Sequence, residues 1–180
     1  MVLETERLLL RPPRLDDARR IFERYANDPR VTRYLGWPTH HSLADTEGFL
    51  GFCNAEWQRW PAGPYLIESR ANGVLLGSTG LGFESSTQAS TGYVLAHDAW
   101  GHGYATEALI AMRDLAARLH VTRLFALCHP DHRASAHVLE KAGFALEATL
   151  PAHAEFPNLT PGVKSDVHCY VLPQAESRKP

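Results

Sequence analysis

The stretch Trp100-Gly101-His102-Gly103-Tyr104-Ala105-Thr106-Glu107-Ala108 holds the residue types and spacing most suited to chemistry. Its two glycines remove Cβ atoms at the point where the chain turns into a helix, so a ligand can approach the backbone. The first N–H groups of a helix have no intrahelical partner and point outward. With the helix dipole they make an anion site that fits a phosphate and needs no Lys or Arg. A second group of chemically capable side chains is Cys128-His129-Pro130-Asp131-His132. It looks like metal-ligand material, but a structural zinc site needs four ligands in paired spacing. No second pair accompanies it and only His137 is near, so no metal is expected.

The elements that must position these residues follow from periodicity. Leu8-Leu9-Leu10, ended by Pro12-Pro13, predicts a first strand. Ala18, Ile21, Phe22 and Tyr25 form a helical stripe that Asn27-Asp28-Pro29 stops. A second helix is expected after Ser42, a candidate cap, and ends before Trp60-Pro61. The period then changes to strands at Tyr65–Glu68 and Val74–Phe83, joined by the Asn72-Gly73 hairpin signal. A fourth strand covers Gly92–Leu95, and a helix runs from Tyr104 to Leu119. A fifth strand follows at Arg123–Cys128, then a helix over Arg133–Lys141 stopped by Gly143. Phe144–Thr149 and Asp166–Leu172 are the last two strands. The order predicts an α/β fold with a mixed, mostly antiparallel seven-stranded sheet flanked by helices. One domain is expected over residues 1–173, with a polar tail at 174–180.

Composition narrows the function classes. The chain has 180 residues, 18 Lys plus Arg against 20 Asp plus Glu, and a formal net charge of -2. That balance opposes nucleic-acid binding by bulk charge, and the 44% hydrophobic content opposes disorder. Three scattered Cys are too few for a disulfide scaffold and suggest a cytoplasmic setting. No segment has the run of apolar residues that a membrane span needs, and the charged N-terminus does not read as a signal peptide.

Three readings compete for the glycine loop. A P-loop needs Gly-Lys-Ser/Thr, and Tyr104-Ala105 follows Gly103. The dinucleotide fingerprint needs Gly or Ala where Thr106 stands. The pyrophosphate loop of acyl-CoA-dependent acyltransferases survives, beside the plainer reading of a glycine turn that only starts a helix. Pieces elsewhere bear on this. Leu3-Glu4-Thr5-Glu6-Arg7-Leu8-Leu9-Leu10-Arg11, Leu15–Ala18, Gly77–Leu81, Gly92–Leu95, the loop itself and Ala134-Ser135 with Val138–Phe144 occur in order along nearly the whole chain. In this the sequence resembles the GNAT superfamily of N-acetyltransferases, and looks closest to the branch of ribosomal-protein N-terminal acetyltransferases.

The resemblance implies acetyl-CoA as co-substrate and an amine acceptor, either a protein N-terminus or a small molecule. It implies a sheet splayed between the fourth and fifth strands, with the cofactor in that gap. Residues Trp100, Gly101, His102, Gly103, Tyr104, Ala105 and Thr106 would hold the pyrophosphate. Val94 and Leu95 would lend backbone bonds to the pantetheine arm and thioester. Leu139 stands where many relatives carry the Tyr that protonates the leaving thiolate, so Ser135 is the implied donor. His132 stands where relatives carry an Asn that contacts the cofactor. Glu155 is the implied general base, and apolar Phe156 and Pro157 beside it would favour proton uptake near neutral pH. Glu84 and His97 are reserves, and His40-His41 would border the acceptor. A homodimer is implied as a common state of relatives. A non-catalytic acyl-CoA-binding module on the same fold is the alternative that Leu139 and His132 keep open.

Overall fold

The computed structural model describes residues 1–173, so the expected tail at 174–180 lies outside the described residues. Short strands β1 (Leu3–Glu4) and β2 (Leu8–Arg11) form an antiparallel pair at one sheet edge. The predicted first helix is broken into pieces. A 3-10 turn at Leu15–Asp17 leads into α1 (Ala18–Ile21), a π-helical turn at Phe22–Ala26 and then α2 (Pro29–Thr32). The break falls where Asn27 N donates to Phe22 O, five residues back, and Asp28 caps α2 by accepting from Arg30 N. The next helix, α3 (Leu43–Arg59), starts in a capping box: Ser42 Oγ accepts from Asp45 N, and the Asp45 carboxylate accepts from Ser42 N.

Three antiparallel strands follow, β3 (Pro64–Ser69), β4 (Leu75–Phe83) and β5 (Gln88–Leu95). After them come α4 (Tyr104–Arg118), β6 (Arg123–Cys128), α5 (Arg133–Lys141), β7 (Ala145–Glu155) and β8 (Lys164–Val171). The sheet has eight strands in the order β1-β2-β3-β4-β5-β6-β8-β7, one more than the expected seven. The extra strand is β1, whose two residues carry no periodicity to read. Among the described residues only β5 and β6 run parallel. A further correction concerns β7, which continues beyond Thr149 to Glu155 and has register shifts at Leu146/Ala148 and Leu150/Ala154. Pro151 is tolerated there because β7 is the other sheet edge, where a missing N–H costs no ladder bond.

The sheet separates two apolar clusters. On one face Leu95, Leu109, Met112, Leu124 and Leu139 pack beneath α4 and α5. On the other, Ile21, Tyr25, Leu50, Leu66 and Val94 pack beneath α1 and α3. Adjacent residues Val94 and Leu95 fall in different clusters because successive strand residues point to opposite faces.

The β5–β6 pairing decides the site. The two strands pair at Gln88↔Arg123, Ala89↔Leu124 and Ser90↔Phe125, and no farther. From Thr91 and Ala126 onward they diverge. Thr91–Leu95 and Ala126–Cys128 are left as the banks of a gap through the sheet.

Candidate active site

Residues from both faces line a single cavity of about 620 Å³ at that gap. Leu95, Ala105, Ser135 and Leu139 contribute from the α4–α5 side, and Val31, Leu35, Trp37 and Phe49 from the α1–α3 side. The cavity therefore passes through the sheet where the strands separate. Of the sequence candidates, Val94, Leu95, Trp100, Gly101, Ala105, His132, Ser135 and Glu155 line it. His102 and Gly103, in the adjoining loop, and Tyr104 and Thr106, in the first turn of α4, do not line it.

The loop has the backbone form its glycines suggest. Gly101 and Gly103 have φ of 78° and 79°, the left-handed region that favours glycine. Gly103 is the N-cap of α4, and the first helical bond runs from Glu107 N to Gly103 O at 3.1 Å. The amides before Glu107 in that turn thus have no partner within the helix. Trp100 braces the loop from below: its indole Nε1 donates to Leu95 O at 2.9 Å. Arg7 braces it from the side. Arg7 Nη1 donates to His102 O at 2.8 Å, Arg7 Nε donates to Glu107 Oε2 at 2.7 Å, and the guanidinium lies 4.7 Å from the Tyr104 ring centre. Glu107 also accepts from Thr5 Oγ1 and Arg7 N. Burial works against the charged form of Glu107, yet the bonds from Thr5 and Arg7 outweigh it and lower its pKa.

Backbone direction corrects the expected role of Val94. An alanine-like Cβ on Gly77 would lie 2.0 Å from Val94 O, so that carbonyl points at β4. Ala96 N donates to Leu76 O, which also belongs to β4. Alternation then turns the backbones of Tyr93 and Leu95 toward the gap. Val94 lines the cavity with its side chain, and it is the Tyr93 backbone, not that of Val94, that is turned toward the gap. Because Trp100 occupies Leu95 O, Leu95 N–H is the donor that faces the gap.

Across the gap, Ser135 lines the cavity together with Tyr93 and Cys128. Burial raises the pKa of the Tyr93 phenol and the Cys128 thiol, and nearby Ser135 partly offsets that rise. Leu139 is 2% exposed and apolar, with no proton to give. His132 stacks on Tyr34, with ring centres 4.5 Å apart. Burial, and then neighbouring His129, lower its pKa. Glu155 ends β7 rather than lying in a loop, and its Oε1 accepts from Gly162 N at 2.8 Å. It is exposed, whereas Phe156 is buried edge-on against His129. The dry setting expected from Phe156 and Pro157 is thus absent.

Some candidates are elsewhere. Glu84 is exposed and bonded to Gln88, and His97 is exposed beside Trp100; neither lines the cavity. His40 is buried behind Trp37, with Nδ1 2.8 Å from Thr46 Oγ1, and His41 is exposed. Sequence reasoning missed Tyr34, Tyr93, Arg7 and Asn158. Tyr93 was legible, since strand alternation opposes it to Val94. Asn158 was not. Its Nδ2 donates to Thr32 O and Trp37 O and its Oδ1 accepts from Thr39 N, partners 119 to 126 positions away.

A family model described as acetyltransferase (GNAT) domain matches residues 7–145. The chain belongs to the GNAT acetyltransferase family. As a GNAT enzyme it is an acyltransferase. It is 30% identical over 178 residues to the uncharacterized N-acetyltransferase YoaA of Bacillus subtilis, covering 96% of this chain and 98% of that one. Its fold is similar to RimL, a ribosomal L7/L12 alpha-N-protein acetyltransferase solved with coenzyme A, at TM-score 0.82 and 21% identity over 95% of this chain and 97% of that one. It is also similar to the microcin C7 self-immunity acetyltransferase MccE, solved with acetyl-CoA and AMP, at TM-score 0.81 and 20% identity over 93% and 92%.

Proposed function

We propose that this GNAT enzyme transfers an acetyl group from acetyl-CoA directly to a primary amine. The single observation that carries the reading is the cavity through the sheet, with an amide-rich helix start at one side and a carboxylate at the other. CoA or acetyl-CoA occupies the solved relatives RimL and MccE, which supports the donor. The backbone amides of residues 101–106 would hold the pyrophosphate, and the backbones of Tyr93 and Leu95 would bind the pantetheine arm. Leu95 N–H stands where it can stabilise the oxyanion as the amine nitrogen attacks the thioester carbon. Glu155, through its oxygen not bonded to Gly162, accepts the proton lost by that nitrogen, directly or through one water. As the C–S bond breaks, Ser135 gives its proton to the thiolate and regains one from solvent, to which Glu155 releases the proton it took. Ser135 thus fills the role that Leu139 leaves vacant.

Two variants test this. Gly103→Ala forces an L-residue to φ near 79°, a strain of about 1–2 kcal/mol, so CoA affinity should fall about tenfold by calorimetry. Glu155→Gln should lower kcat about a hundredfold with acetyl-CoA affinity unchanged, measured by thiol release. Wild-type turnover in Glu155→Gln overturns its assignment as base. Acetyl-CoA binding with no thiol release from any amine favours the non-catalytic binding module instead.

A further inference from the structure

The acceptor half of the cavity has a composition of its own, and it bears on which amine is acetylated. The inference rests on the transfer reading above and goes beyond it. Trp37 and Phe49 stack with ring centres 6.4 Å apart on the α1–α3 side. Tyr34, held flat on His132, faces the same space, and Phe52, 56% exposed on α3, adds an unpartnered ring at the rim. Among the described residues no Lys or Arg lines the cavity. Its ionised side chains are two carboxylates, Glu155 and Glu56, the latter one helical turn beyond Phe52 on α3. Among the described residues the Glu56 carboxylate makes no hydrogen bond or ion pair. Arg33 is not part of the lining, although its guanidinium lies 5.5 Å from the Tyr34 ring centre on that wall. A lining of aromatic rings and carboxylates without Lys or Arg favours a cation carried on an apolar body. It penalises phosphate or carboxylate, which would be desolvated with no partner.

The walls are also tied together. Asn158, in the loop between β7 and β8, binds Thr32 O, Trp37 O and Thr39 N, so this loop is fastened to the segment between α2 and α3. A fastened roof suits a compact ligand better than an extended peptide, which needs an open channel. We infer that the acceptor is a small primary amine on an aromatic or bulky apolar body, of arylalkylamine type, rather than an acidic peptide N-terminus or a phosphorylated amine.

The test is thiol release with acetyl-CoA and four acceptors: 2-phenylethylamine, spermidine, O-phosphoethanolamine, and a hexapeptide with an acidic N-terminal sequence. The arylalkylamine should exceed each of the others in kcat/KM by about tenfold or more, as expected for one desolvated aromatic contact against an unpaired charge. Phe49→Ala should raise KM for 2-phenylethylamine about tenfold and leave KM for acetyl-CoA unchanged. Glu56→Lys, on a partly exposed helix face where a fold defect is not expected, should raise the same KM and narrow the gap to phosphoethanolamine. Preference for the peptide, the polyamine or the phosphorylated amine overturns the inference and leaves the transfer reading standing. So does an unchanged acceptor KM in both variants. No release with any amine, while calorimetry shows acetyl-CoA bound, overturns the transfer reading and this inference with it.

Discussion

At the scale of the residue, a side chain's neighbours decided its function more than its type did. Two of the chain's ten His, His129 and His132, line the cavity, and His132 is stacked there on Tyr34. Burial and His129 hold its pKa below the ordinary 6.5. The folded state then binds fewer protons than the unfolded chain, so its contribution to stability is whole above about pH 6.5 and is lost as pH falls toward the lowered value. Thermal melts from pH 7 to 5 should show the midpoint falling, and His132→Asn should flatten that slope. An equal slope in both proteins refutes the assignment. Glu155 teaches a related lesson. Its position in the sequence pointed to a carboxylate in apolar surroundings, but the side chain stands in water and leans on Gly162 N. The role of base proposed for it depends on reach into the cavity.

At the scale of the element, the start of α4 is held by a segment remote in sequence. Glu107 accepts from Thr5 Oγ1, Arg7 N and Arg7 Nε, bonds that span 100 to 102 positions. They fasten the β1–β2 turn to the helix whose first amides face the proposed pyrophosphate. Glu107→Ala removes three acceptor contacts, frees Arg7 from its ion pair and leaves the loop held by Arg7 to His102 O and Trp100 to Leu95 O. The expected result is about a tenfold rise in KM for acetyl-CoA with kcat changed less, and a stability loss of about 2 kcal/mol by urea titration. A loss of stability with KM intact would make Glu107 a purely structural residue. The helices and strands themselves were largely legible: α4 begins at Tyr104 and α5 spans Arg133–Lys141 as periodicity predicts. The first helix was not, because a π turn at Phe22–Ala26 keeps the apolar stripe while changing the turn.

At the scale of the whole molecule, the site depends on two loops meeting. Asn158 joins the β7–β8 loop to the segment before α3, across more than a hundred residues of chain. Asn158→Ala leaves the carbonyls of Thr32 and Trp37 without that donor and should cost about 1–3 kcal/mol. Loosening of the roof should raise the acceptor KM about tenfold and hasten proteolytic cleavage between residues 156 and 163, with KM for acetyl-CoA unchanged. An unaltered cleavage rate would show that the roof is held by other contacts.

By itself the sequence determined what is local: helix starts, turns, the glycine turn at Gly101 and Gly103, and a motif order specific enough to point to a family. Local physics suffices there, because a helix cap or a left-handed φ is set by neighbours a few residues away. The tertiary structure decided what depends on distance. It separated β5 from β6 after Ser90, turned Leu95 rather than Val94 toward the gap, set Tyr93 beside Ser135, and brought Asn158 to Trp37. Each of these arises from long-range packing and sheet register. Both fix which way a backbone or side chain points, and neither leaves a periodic trace in the sequence.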